Sequence, residues 1–129
     1  MPALRSLNLS KNRLTELPDD LGQRLPQLTE MDLSDNRFRA VPLAALLRAT
    51  SLEKIELGFR GLQPGEEIEG QLESLVRGLP CLQELRLKYS WELGLRTPDA
   101  EARAREEQLV ERLRERNRNV RIVGWSYDW

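Results

Sequence analysis

Apolar residues recur along this chain in a fixed order: Leu-x-x-Leu-x-Leu, then a polar turn position, then one more apolar residue. The first set is Leu4, Leu7, Leu9, Asn12 and Leu14, and the second is Leu28, Met31, Leu33, Asn36 and Phe38. The third is Leu52, Ile55, Leu57 and Leu62, with Arg60 at the asparagine position. The fourth is Leu82, Leu85 and Leu87, with Ser90 in that place. Starts are separated by 24, 24 and 30 residues. One match to such a template carries little weight; four in order, with the same internal spacing, mark a repeat array. Residues two apart share a face of a strand. Each repeat therefore predicts a short strand with Leu7 and Leu9, Met31 and Leu33, Ile55 and Leu57, or Leu85 and Leu87 turned into the core. The connections are too long for hairpins, so the strands run parallel.

The return segments differ along the chain. Leu17-Pro18 and Val41-Pro42 favour extended or irregular backbone before each proline. Leu43 to Ala49 has room for a short helix. In the third return, Ile68, Leu72, Leu75, Val76 and Leu79 recur at helical spacing, and Gly78 marks the stop. In the fourth, Thr97-Pro98-Asp99 reads as a helix start, with a capping hydroxyl, proline in the first turn and an acid at the positive end. That helix is expected to reach Arg116, with Ala102, Leu109, Val110 and Leu113 inward and pairs Glu101–Arg105, Glu111–Arg114 and Glu115–Arg118 on its surface. Val120 to Val123 reads as a fifth strand, with Val120 and Ile122 level with Leu85 and Leu87. The tail from Trp125 to Trp129 is expected to fold back over the last repeat.

From Leu4 to Leu93 the template resembles that of the leucine-rich repeat family. The resemblance implies an α/β fold: a right-handed leucine-rich repeat solenoid, with a curved parallel sheet on the concave side. Irregular segments and then helices would line the convex side. Residues 1–129 are expected to form a single leucine-rich repeat domain, with repeats starting at 4, 28, 52 and 82 and residues 94–129 forming a C-terminal capping helix, strand and aromatic tail. The resemblance also assigns Asn12 and Asn36 to a structural asparagine ladder that ties down the backbone leaving each strand, and Arg60 and Ser90 break that ladder. Such repeats mostly bind proteins through the concave surface, so the expected function is an intracellular adaptor or targeting domain.

Composition narrows this little further. The net charge is −1, from 20 basic and 21 acidic residues, so no basic excess points to nucleic acid. A single cysteine, Cys81, cannot make an internal disulfide; a reducing, cytoplasmic setting is expected, with Cys81 a small buried filler. No apolar run approaches the ~18–20 residues of a membrane span. The absence of histidine removes the usual base of a Ser or Cys nucleophile. Asp32, Asp35 and Asn36 lack the glycine and terminal glutamate of a calcium loop. No catalysis, cofactor or metal is expected.

Residues between the core leucines form columns across the repeats. These are Ser6, Glu30, Lys54 and Glu84; Asn8, Asp32, Glu56, Arg86 and Arg121; and Ser10, Ser34, Gly58, Lys88 and Val123. Asp32 and Glu56 are acidic, while Arg86, Lys88 and Arg121 follow on later strands. That split in sign would steer a complementary partner. The plainer reading is neutralisation of Glu56 by Arg86. Phe59 and Tyr89 fall just past their strands, with Trp91 nearby, and exposed aromatics serve as interface anchors; space filling is the plainer role, favoured for Trp91. The candidate partner-binding residues are Asp32, Glu56, Phe59, Arg86, Lys88 and Tyr89. A structural alternative is that Leu7 and Leu9, at an uncapped first repeat, pack on further repeats or on a second copy.

Overall fold

In the computed structural model, five strands form one parallel sheet in sequence order. They are β1 (Ser6–Asn8), β2 (Glu30–Asn36), β3 (Lys54–Phe59), β4 (Glu84–Lys88) and β5 (Arg121–Ser126). The structure describes residues 4–38, 41–59, 66–88 and 100–126. Each return carries a helix: α1 (Leu21–Arg24), α2 (Leu43–Leu47), α3 (Glu66–Gly78) and α4 (Ala100–Arg116). They lengthen from 4 residues to 5, 13 and 17. The chain is thus an α/β array in which each of the first four strands is followed by a return that carries a helix.

The register of the first four strands follows the template. Leu7 pairs with Met31, Met31 with Ile55 and Ile55 with Leu85, while Leu33 pairs with Leu57 and Leu57 with Leu87. A slip of one residue would turn every one of these apolar side chains to the open face, so period two excludes it. Leu33, Ile55, Leu57, Leu85 and Leu87 are fully buried, and each such side chain contributes roughly 1.5–3 kcal/mol. Helix α3 closes the same core with Ile68, Leu72, Leu75 and Val76, and α4 with Leu109, Val110 and Leu113. Leu4, Leu7, Leu9 and Leu14 are only partly buried, although they pack on this core.

Several expectations need correction. The first return is not wholly irregular, because Pro18 is followed by the single turn of α1. Its Gly22 is wedged so closely under the Arg48–Ala49 backbone that a Cβ there would collide with it. The fifth strand sits two residues from its expected register: Arg121 pairs with Glu84 and Ile122 with Leu85. Val120 is used up in the turn out of α4, donating its N–H to the Asn117 carbonyl. Arg114 then holds the strand by donating to the Ile122 carbonyl at 2.9 and 2.7 Å, rather than pairing with Glu111. Cys81 is exposed, not buried, because Leu79 and Leu82 occupy the inward positions on either side of its turn. The start of α4 at Thr97-Pro98-Asp99, the ladder positions Arg60 and Ser90, Trp91, and the last three tail residues lie outside the described residues, as do the side chains of Ala102 and Trp125.

Candidate functional site

The sheet face opposite the helices is built from the residues between the core positions. Its first two strands share a local device. Asn8 Oδ1 accepts from the Ser10 N–H at 2.9 Å and the Ser10 hydroxyl at 2.6 Å. One repeat later, Asp32 Oδ1 accepts from the Ser34 N–H and hydroxyl at the same two distances. Such a side chain, bonding the backbone two residues on, shapes the turn out of the strand. Past that turn, Lys11 and Asp35 occupy equivalent positions and both adopt left-handed backbone, with φ of 60° and 57°. Ser34 is therefore buried and serves the fold, contrary to its placement among the free columns.

Asn36 is fully buried at the end of β2. Its amide donates to the Leu9 carbonyl at 2.8 Å and the Leu33 carbonyl at 3.1 Å. Its side-chain oxygen accepts from the N–H groups of Asn12 at 3.1 Å and Leu14 at 2.9 Å. One side chain thus satisfies backbone groups of two repeats, as the ladder role requires. Asn12 is exposed instead.

Four of the six candidate partner residues are described in full, and they come together on adjacent strands. Asp32 and Glu56 are register partners, as are Glu56 and Arg86. The pairing of charges is not the expected one. Glu56 is neutralised by Lys88 at 3.2 Å, not by Arg86. Beside this pair, a Cβ at Gly58 would lie 2.8 Å from the Lys88 carbonyl oxygen and 3.0 Å from its Cβ, so the glycine lets β3 and β4 approach closely there. Phe59 continues β3, but its side chain lies outside the described residues, as does all of Tyr89.

Arg86 turns to Glu84, donating from Nε at 3.0 Å. Glu84 also receives Lys54 at 3.4 Å and Arg121 at 3.8 Å. Three cations from three strands converge on one carboxylate whose side chain is 13% exposed. Burial opposes its ionisation. The Arg86 hydrogen bond and the charges of Arg86 and Lys54 outweigh that effect and hold the Glu84 carboxyl below its ordinary range. Glu84 was not among the candidates. The columns place it beside Lys54, but its role as a hub depends on where long side chains turn. Glu30 is exposed, and among the described residues neither it nor Asp32 has an ion pair. A shallow depression of about 200 Å³ lies here, lined by Ser6, Asn8, Glu30, Asp32, Lys54 and Glu56.

Among the described residues no cluster of histidine, cysteine, aspartate and glutamate could hold a metal ion. No helix there is long and apolar enough to cross a membrane.

A family model for the leucine rich repeat matches residues 2–60, which take in the first two repeats and the third strand. The chain belongs to the leucine-rich repeat family. It is 31% identical over 99 residues to the probable serine/threonine-protein kinase pats1 of Dictyostelium discoideum, covering 74% of the chain and 3% of that protein. It is 33% identical over 94 residues to podocan of Mus musculus, covering 73% of the chain and 14% of podocan. It is 36% identical over 61 residues to epiphycan of Gallus gallus, covering 46% of the chain and 19% of epiphycan. The chain thus spans less than a fifth of each of these relatives. No solved structure matches it. Leucine-rich repeat domains generally bind other proteins, and the family is typically non-enzymatic.

Proposed function

We propose that this chain is a protein-recognition module whose partner docks on the open face of the sheet, over β2, β3 and β4. The observation that carries this reading is the set of charged side chains there that the core does not need. Glu30 is exposed, and Lys54, Arg86 and Arg121 surround a single carboxylate. An intracellular adaptor or targeting role suits a chain whose one cysteine is free and exposed. We read the module as non-catalytic, since a sequence without histidine has no imidazole to activate a serine or cysteine nucleophile.

The test is affinity capture from a lysate of the source organism, with wild-type chain beside a folded variant carrying Glu56→Arg and Arg86→Glu. A protein held by the wild type and lost by the variant supports the open face. Equal capture by both removes it as the site.

A second reading rests on β1, an edge strand of the sheet, where Leu7 in the strand and Leu9 just past it remain partly exposed. An edge strand with apolar neighbours is a template for further pairing, and here it would dock additional repeats or a second copy. Mass measured across concentrations decides it. Dimers that vanish on Leu9→Glu, with circular dichroism unchanged, support self-association; a monomer at every concentration rules it out.

A further inference from the structure

Resting on the open-face reading, we propose that the partner is a protein segment of ordered charge, with basic groups over Glu30 and Asp32 and acidic groups over Lys54, Arg86 and Arg121. The open face is polarised once its internal pairs are removed. At one end, Glu30 and Asp32 on β2 leave two negative charges without an ion pair among the described residues. Lys54 stands beside Glu30 in the register, yet it reaches the other way, to Glu84. At the other end, three cations share the single charge of Glu84, leaving two positive charges. Between them, Glu56 and Lys88 are paired, with side chains 20% and 12% exposed, and form a neutral spacer.

The two ends also differ in what they can still bind. Asp32 uses Oδ1 on Ser34, and its other oxygen has no partner among the described residues. Arg121 is the loosest member of the positive cluster, 3.8 Å from Glu84 and with a side chain 74% exposed. A guanidinium has five N–H donors in a rigid fork, so Arg121 can take a partner carboxylate without releasing Glu84. Neighbouring strands lie about 4.8 Å apart, so β2 is separated from β4 and β5 by about 10–15 Å. An extended segment crossing the strands covers that in about three to five residues. The partner's basic and acidic side chains should be spaced accordingly. Opposite order would set like charges against each other at both ends.

The experiment selects twelve-residue random peptides, displayed on phage, against the full chain. Four variants follow, each checked by circular dichroism. Glu30→Lys with Asp32→Asn alters the acidic end, and Asn at position 32 keeps the Ser34 hydrogen bonds, as Asn8 does in the repeat before. Lys54→Gln with Arg121→Glu alters the basic end. A third variant combines all four substitutions. Ser6→Trp blocks the face sterically without changing charge. The expected result is enriched peptides with basic and acidic residues at that spacing, losing about tenfold in affinity for either charge variant, as for one lost charge-assisted contact. The same peptides with the two signs exchanged should prefer the combined variant to the wild type. Peptides blocked by Ser6→Trp but indifferent to both charge variants overturn the charge order and leave the open face standing. Peptides indifferent to every variant overturn both readings. Failure to enrich any charge-ordered peptide also overturns the proposal.

Discussion

Asn12 and Asn36 stand at the same position of consecutive repeats and meet opposite environments. Asn36 is fully buried and bonded to backbone groups of Leu9, Asn12 and Leu14. Asn12 is exposed. The leucines follow suit, since Leu33 and Phe38 are buried in the second repeat while Leu9 and Leu14 in the first are only partly so. The difference lies in the neighbours and not in the residues. The side chain of Asn36 is occupied mainly by the repeat that precedes it, and among the described residues no strand lies beyond β1. A repeat of this kind stabilises the one before it, so stability is shared along the stack and is weakest at an open end.

The largest test of this contrast is a pair of leucines. Leu33→Ala empties a fully buried site between two strands and should lower unfolding free energy by about 3 kcal/mol. Leu9→Ala, at the equivalent position of the first repeat, should cost only about 1 kcal/mol. Urea unfolding followed by circular dichroism reads both, and equal losses would break the comparison. Next comes the asparagine pair. Asn36→Ala strands buried backbone groups of two repeats and should cost about 2–3 kcal/mol. Asn12→Ala should stay within about 0.5 kcal/mol of wild type.

Gly58→Ser sharpens the comparison from another side. Ser10 and Ser34 occupy the same template position and bond there to Asn8 and Asp32. At Gly58 the space belongs to Lys88, and the serine should cost about 1–2 kcal/mol in the same melts. A neutral result would mean that Lys88 moves aside freely and that its pair with Glu56 contributes nothing.

The smallest expected effect is the acid limb of stability. In Glu84 the opposing influence of burial is outweighed by Arg86 and Lys54. In Glu69 the hydrogen bond from Arg112 leads, burial opposes it, and the charges of Arg112 and Arg116 add to it. Both carboxyls are held below the ordinary value of 4.5. A depressed folded pKa gives stability that is present above the unfolded value and is lost as pH falls through the folded one. Melting temperature should therefore drop below pH 4.5, and Glu69→Gln should flatten that drop. An unchanged slope would show that the fork of Arg112 on Glu69, at 2.7 to 3.1 Å between α4 and α3, does not hold in solution.

How far the site could be read in advance differs from residue to residue. Asp32, Glu56 and Arg86 were placed on neighbouring strands by counting from the leucines, because side chains in register have no freedom about which strand they lie on. The cation that neutralises Glu56 is not legible in the sequence: register offers Arg86, but Arg86 turns along its own strand to Glu84 and Lys88 takes Glu56. The hub at Glu84 is not legible either, because it depends on where the long side chains of Lys54, Arg86 and Arg121 turn. Arg121 was placed one column away from where it lies, because the turn after α4 consumes Val120 and no template residue marks that turn.

The spacing of leucines by itself determined a parallel sheet, the register of its first four strands and the burial of their alternate side chains. Period-two alternation excludes a one-residue slip, and the shared start of each template aligns equivalent positions of neighbouring repeats. The amphipathic spacing of Ile68, Leu72, Leu75 and Val76 likewise determined where α3 lies against that sheet. Only the tertiary structure decided which charges are spent within the protein and which remain for a partner. Lysine, arginine and glutamate side chains are long enough to choose among several neighbours on adjacent strands. The arrangement of those side chains around Glu84 and Glu56 made that choice.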